Sequence, residues 1–173
     1  MKLIKFLDAE ATTLMSDSLN QTILENLVMS EHSISGLSSK LNLPTLKLWR
    51  RMQKLLQANL VELSKTEKIG NIEKKIYRAT ATRFVPQQYF EFKPKDTDLQ
   101  GAFKIYSEIQ KEMLTKILAI HEVPKNADPI DFALFVSMQA FAQVCGEPAT
   151  KVRLVELEQK LEEFNIRKNL FEK

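Results

Sequence analysis

The chain has 173 residues, 27% of them charged and 44% hydrophobic, with a formal net charge of +3 and one cysteine. That length buries a core without staples, and the lone Cys145 excludes an internal disulfide and any multi-cysteine zinc site. Two histidines, and four glycines outside any G-x-G-x-x-G or G-K-[ST] setting, offer no metal cage, catalytic triad or nucleotide loop, so neither an enzyme nor a cofactor is expected.

The N-terminal run MKLIKF meets Asp8 and Glu10 too soon for a signal peptide. Asp17 or Ser18 can cap a first helix, with Leu19, Ile23 and Leu27 on one face and Leu24 and Val28 beside them. After the polar break Ser30-Glu31-His32, Ser33 suits the N-cap of a short second helix with apolar positions Ile34, Leu37 and Leu41. Asn42 fits a left-handed residue after that helix, and Leu43-Pro44 opens the next.

The third helix is expected over residues 44–58. Leu48, Met52 and Leu55 form one stripe that should face the core. At 100° per residue, Leu46, Arg50 and Gln57 point the opposite way, with Lys47 and Lys54 next to them and Arg51 on the flank. Thus one face is apolar and the other offers Lys47, Arg50, Gln53 and Lys54. Beyond Asn59, residues 61–65 alternate as a strand, Lys68-Ile69-Gly70-Asn71 suits a tight tip, and residues 75–82 form the returning strand. Residues 40–83 hold 11 Lys and Arg against 3 Asp and Glu. A window this basic makes a positive field that suits a polyanion.

Helix, short helix, turn, third helix, then hairpin is the winged helix-turn-helix order. Residues 34–44 resemble its positioning helix and turn. Residues 48–61, LWRRMQKLLQANLV, resemble the recognition helix and the L-x-x-L-x-x-A-G-L-V exit of ArsR-like prokaryotic transcription regulators, with Asn59 where that family usually has glycine. Asn tolerates the same left-handed backbone. The resemblance covers residues 15–83. It implies double-stranded DNA as partner, with the third helix in the major groove and the hairpin, residues 61–82, on the flanking backbone. By the same resemblance, Thr45, Leu46, Lys47, Trp49 and Arg50 are base-facing or nearly so. Arg50 suits a bidentate guanine contact. Lys47, Arg51 and Lys54 suit phosphates, and Lys65, Lys68, Lys74, Lys75 and Arg78 would grip neighbouring phosphates from the hairpin. Trp49 departs from the family, which usually has a small polar residue there. It either meets a thymine methyl or sugar, or packs on MKLIKF, and packing is the expectation adopted.

Pro86 and Pro94 bracket a linker, with a short strand in it, where the charge balance changes sign. A helix of about 23 residues follows, with the stripe Leu99, Phe103, Tyr106, Met113 and Ile117. Asp128-Pro129 starts a second helix. Its stretch 130–144 is apolar nearly all round, so burial is expected. With Asp131 and Gln139 inside it, it reads as too short to span a bilayer. A last helix from about residue 149 carries Val152, Leu157, Leu161 and Phe164 against a charged face.

The expected architecture is therefore mainly α with a small β-hairpin. Residues 1–92 form a winged helix-turn-helix DNA-binding domain, and 93–173 a C-terminal helical dimerisation region. Leu99, Phe103, Tyr106, Met113, Ile117, Leu157, Leu161 and Phe164 are the candidate homodimer contacts, with a three-helix intramolecular bundle as the alternative. Cys145 reads as an inert core thiol, and no metal site is carried over from the family. The expected function is a cytoplasmic, homodimeric, sequence-specific DNA-binding regulator with no membrane association and room for a small-molecule effector. The competing reading is a protein-interaction winged helix serving as accessory subunit of a larger assembly.

Overall fold

The computed structural model describes residues 1–168. It divides the chain into two compact units, Met1–Gln87 with His121–Ala133, and Gln88–Ile120 with the chain from Leu134 onward. A single cut between residues 92 and 93 therefore does not describe the chain, because 121–133 return to the first unit. There the Val123 N–H donates to the Met1 carbonyl at 3.1 Å, and Ile130 packs against the first unit's core.

The first unit opens with strand β1 (Lys2–Leu7) and helix α1 (Ala9–Met15), which Asp8 caps through the Ala11 N–H at 2.8 Å. Helix α2 (Ser18–Met29) is capped by Asp17, whose carboxylate accepts from the Leu19 and Asn20 N–H groups at 2.9 and 3.2 Å. Strand β2 (His32–Ser33) precedes α3 (Ile34–Lys40), capped as expected by Ser33, and α4 spans Thr45–Gln57.

Both α3 and α4 end the same way. Asn42 and Asn59 adopt φ of 50° and 54°. After α3, the Leu43 N–H reaches back to the Ser38 carbonyl at 3.0 Å and Asn42 to Ser39 at 3.3 Å. After α4, Leu60 reaches Leu55 at 2.8 Å and Asn59 reaches Leu56 at 3.0 Å. These are paired Schellman stops, which satisfy last-turn carbonyls and turn the chain sharply. They fix the angle between the two helices and the point where the hairpin begins.

The hairpin is β3 (Val61–Ile69) and β4 (Ile72–Ala79), antiparallel from Val61↔Ala79 to Ile69↔Ile72, with an irregularity between Leu63 and Lys65. Gly70 holds the tip at φ +62°. β2 adds to the free side of β4 through His32↔Tyr77 and Ser33↔Ile76. The returning strand expected over 75–82 is in fact two. Thr80 donates its N–H to Leu60 at 3.0 Å, while its carbonyl accepts from Lys2 at 2.9 Å. That residue switches the chain from the hairpin into β5 (Ala81–Pro86), which runs parallel to β1. The core beneath gathers Leu7, Ile23, Leu24, Leu27, Leu37, Leu48, Met52, Leu55 and Leu60. Fully burying side chains of this size stabilises by about 1.5–3 kcal/mol each, against the ordering entropy.

In the second unit, a short 3-10 turn (Gln87–Phe90), not a strand, occupies the linker region. Helix α5 runs Thr97–Leu118, α6 Pro129–Gly146, and α7 Pro148–Lys168. α5 and α7 pair antiparallel: Arg167 and Lys168 meet Asp98 and Asp96 at 3.0 and 2.8 Å, while Arg153 forks onto Glu112 with two 2.7 Å bonds. Acids at the start of α5 and bases at the end of α7 also suit both helix dipoles. Ile105, Ile109 and Val144 form the core, with Met113, Leu154 and Leu157 against it.

Burial of α6 is the expectation that fails. Val136, Ala140 and Val144 are buried, yet Leu134, Phe135, Met138 and Phe141 are 54–56% exposed. Val136, Ala140 and Val144 recur every four residues and so share the inward side of the helix, while the four large side chains fall on its other sides. The length argument against a bilayer fails as well, since α6 has 18 residues and is apolar enough by composition to cross one.

Candidate nucleic-acid interface

The site begins with α4. Leu48, Met52 and Leu55 are 0–1% exposed and anchor the helix to the core. That stripe fixes the rotation of the helix about its axis, and the same rotation exposes Thr45, Leu46, Lys47, Trp49, Arg50 and Lys54. Thr45 is held at the helix start by its hydroxyl, 3.0 Å from Ser38 Oγ.

The twelve candidate DNA-contacting residues fall into distinct environments. Lys47, Arg50, Lys54, Lys68 and Lys75 have no ion pair among the described residues and are exposed; Lys74 is half-buried and likewise unpaired. Arg51, Lys65 and Arg78 are engaged within the chain. Arg51 Nη1 binds Asp17 at 2.8 Å and Asn20 Oδ1 at 2.9 Å, which ties α4 to the start of α2. That hydrogen bond holds the Asp17 carboxyl below its ordinary range. Lys65 pairs with Glu67 at 2.9 Å, raising the lysine and lowering the glutamate, and Arg78 Nε binds Glu62 at 2.7 Å.

Two grooves flank the exposed side of α4. One is lined by Thr13, Leu14, Leu46, Lys47, Arg50 and Lys54, among others, on the side of α1 and α2. The other is lined by Ser35, Trp49, Gln53, Lys74, Lys75 and Tyr77, among others, between α4 and the hairpin. Trp49 therefore does not pack on the N-terminal strand. It stands 47% exposed toward the hairpin, because its position is about 100° from Leu48 on the hairpin side of the helix.

The register of β3 with β4 sets Lys68 opposite Glu73 and Glu67 opposite Lys74. The hairpin thus compensates part of its own charge, and α4 carries the more one-sided cationic surface. One contributor went unseen in the sequence. Asn20 is 4% exposed, donates to the Leu14 carbonyl at 2.8 Å and accepts from Arg51. No local pattern marks an asparagine inside a helix for that role. Gln53 was legible as outward-facing, and the structure adds its place beside Trp49. His32 sits 2.8 Å from Ser30 Oγ, and partial burial, then the nearby Lys40, push its pKa down. Among the described residues no cluster of three metal-ligating side chains occurs.

Of the residues proposed for self-association, Ile117 is buried within its own unit at 4% exposure. Met113 and Leu157 pack on that unit's core. Phe103 stacks edge-on to Phe92 at 5.5 Å and lies 6.3 Å from Tyr106. Leu99 is half-buried, as is Phe164, which lies beneath Lys168 Nζ. Only Tyr106 and Leu161 of the eight are exposed.

No protein-family model and no curated protein matches the chain. Among solved structures it is similar to an ArsR-like transcriptional regulator from Rhodococcus sp. RHA1. That match has 21% identity and a TM-score of 0.35, over 65% of this chain and 84% of that one. It is also similar to Bacillus subtilis PadR in complex with operator DNA, at 14% identity and a TM-score of 0.35, over 81% of this chain and 98% of that one. The chain is mainly helical with a winged helix-turn-helix order of elements.

Proposed function

We propose that this chain is a sequence-specific, double-stranded-DNA-binding transcription regulator that acts as a cytoplasmic homodimer and performs no catalysis. The observation that carries it is the outward side of α4, where Lys47, Arg50 and Lys54 stand exposed and unpaired opposite a stripe of buried Leu48, Met52 and Leu55. Major-groove docking needs a protruding helix with such a face. Arg50 offers the fork for guanine O6 and N7, and Lys47 and Lys54 suit phosphates. Lys68, Lys74 and Lys75 on the hairpin suit the flanking backbone. Arg51 serves to hold the helix, so its contribution to binding is indirect.

Self-association is best supported by the open face of α6, in place of the α5 and α7 stripe. Leu134, Phe135, Met138 and Phe141 form an apolar row that a second copy would cover. A bilayer fits this row poorly. The opposite side of α6 packs through Val144 on α5, which carries Lys104, Glu108, Lys111, Glu112 and Lys116, and hydrocarbon excludes such charges.

The test is selection of genomic fragments with the purified protein at two salt concentrations. Log affinity should fall with log salt at a slope of about −0.9 per phosphate neutralised. Arg50→Ala should cost about 1–3 kcal/mol on the selected site and relax its sequence preference. Absent or salt-insensitive duplex binding sinks the proposal. The self-compensating charge of the hairpin favours the second reading, an accessory winged helix in a protein assembly. Stoichiometric recovery of a protein partner, with no fragment enriched, would select it.

A further inference from the structure

Two large apolar side chains occupy the polar side of α4. Leu46 is 60% exposed and Trp49 47% exposed, although the same helix buries Leu48, Met52 and Leu55 in its core stripe and half-buries Leu56. At 100° per residue, Leu46 lies about 40° and Trp49 about 100° from Arg50 around the axis, with Gln53 between them. Each sits in a groove with an excess of cations: Leu46 with Lys47, Arg50 and Lys54 beside the Arg51–Asp17 pair, and Trp49 with Lys74 and Lys75 beside Glu73. Cations along both sides suit a pair of phosphate backbones. What lies between those backbones must then present something apolar to Leu46 and Trp49. In the major groove only one base edge does so, the 5-methyl group of thymine.

We propose that Leu46 and Trp49 are specificity-determining residues that read thymine 5-methyl groups beside the base read by Arg50. This rests on the assignment of α4 to duplex DNA, and it explains the departure at position 49. Trp49 adds its indole to a groove that Ile34 and Tyr77 also line, next to Lys74 and Lys75. Both side chains are exposed, so their removal leaves the core stripe of Leu48, Met52 and Leu55 intact.

The test uses the site obtained by fragment selection. Each thymine is replaced singly by deoxyuridine, which removes the methyl group and keeps every hydrogen-bonding atom. The wild-type protein should lose affinity at one or two positions per half-site, by about fourfold each, the worth of one buried carbon. Leu46→Ala and Trp49→Ala should each bind thymine and deoxyuridine equally at the position they read, with unchanged thermal melts. Salt-dependent duplex binding without discrimination at any thymine overturns the inference and leaves the DNA assignment standing. Discrimination that persists in both variants overturns the choice of residues. Failure of all duplex binding overturns the DNA assignment itself. Preference for single strands would replace methyl readout by base stacking on Trp49.

Discussion

Helices α4 and α6 each leave one face uncovered, and the two faces are opposites. In α4 the core stripe of Leu48, Met52 and Leu55 lies inside, and the outward surface is mainly cationic apart from Leu46 and Trp49. In α6 apolar residues lie on nearly every side, and the structure buries the small ones while Phe135, Met138 and Phe141 face outward. An amphipathic helix has one orientation that satisfies both water and core, so its pattern fixes which side is presented. A helix apolar all round has no such preference, and contacts with distant segments decide which side is covered. The first kind of face suits a polyanion and the second suits another apolar surface, so the proposed function assigns nucleic-acid binding and self-association to different helices.

The sharpest way to break this comparison is to attack the anchor of α4. Leu48→Ala should destabilise the protein by about 2–5 kcal/mol, as expected for a leucine in a fully packed core. Calorimetry or denaturant unfolding measures this, and DNA binding should fall with the folded fraction. A loss under 1 kcal/mol would mean the stripe is not what holds the helix.

The next effect concerns α6. Phe135→Lys combined with Phe141→Lys should leave secondary structure in place, because both side chains are largely exposed. It should convert a dimer into a monomer by light scattering. A wild-type protein that is already monomeric at tens of micromolar, as judged by the concentrations such weak pairs require, would remove the role given to that face.

The smallest effect sharpens the division between Arg50 and Arg51, adjacent residues with separate tasks. Asp17 is held below its ordinary range by the hydrogen bond from Arg51. A depressed carboxyl contributes stability that is fully present above its unfolded value and is lost as pH falls through its folded value. Asp17→Asn should therefore abolish a modest acid limb in the melting temperature and leave stability near neutrality only slightly lower. Arg51→Ala should do the same, whereas Arg50→Ala should leave that limb unchanged. A melt of Asp17→Asn with the wild-type acid dependence would detach the pair from stability.

Much of the first unit was legible because its signals are local. Asp17 and Ser33 cap the helices they were expected to cap, and Asn42 and Asn59 take the left-handed backbone that ends α3 and α4. The stripe of α4 is buried as its spacing required. The sequence showed which cations of α4 and the hairpin face outward as candidates for DNA, but not which of them pair within the chain. Whether a cation is free depends on partners far along the chain: Asp17 and Asn20 for Arg51, Glu62 for Arg78.

The amino-acid sequence by itself determined the order of helices and hairpin, the caps, and which side of α4 looks outward, since each follows from neighbours within a turn or two of the chain. Only the tertiary structure decided that Thr80 switches the chain into a parallel pair with the first strand, that residues 121–133 return to the first unit, that Trp49 turns to the hairpin, and that the large side chains of α6 stay outside. Those outcomes depend on contacts between distant segments, which hydrophobic periodicity does not record.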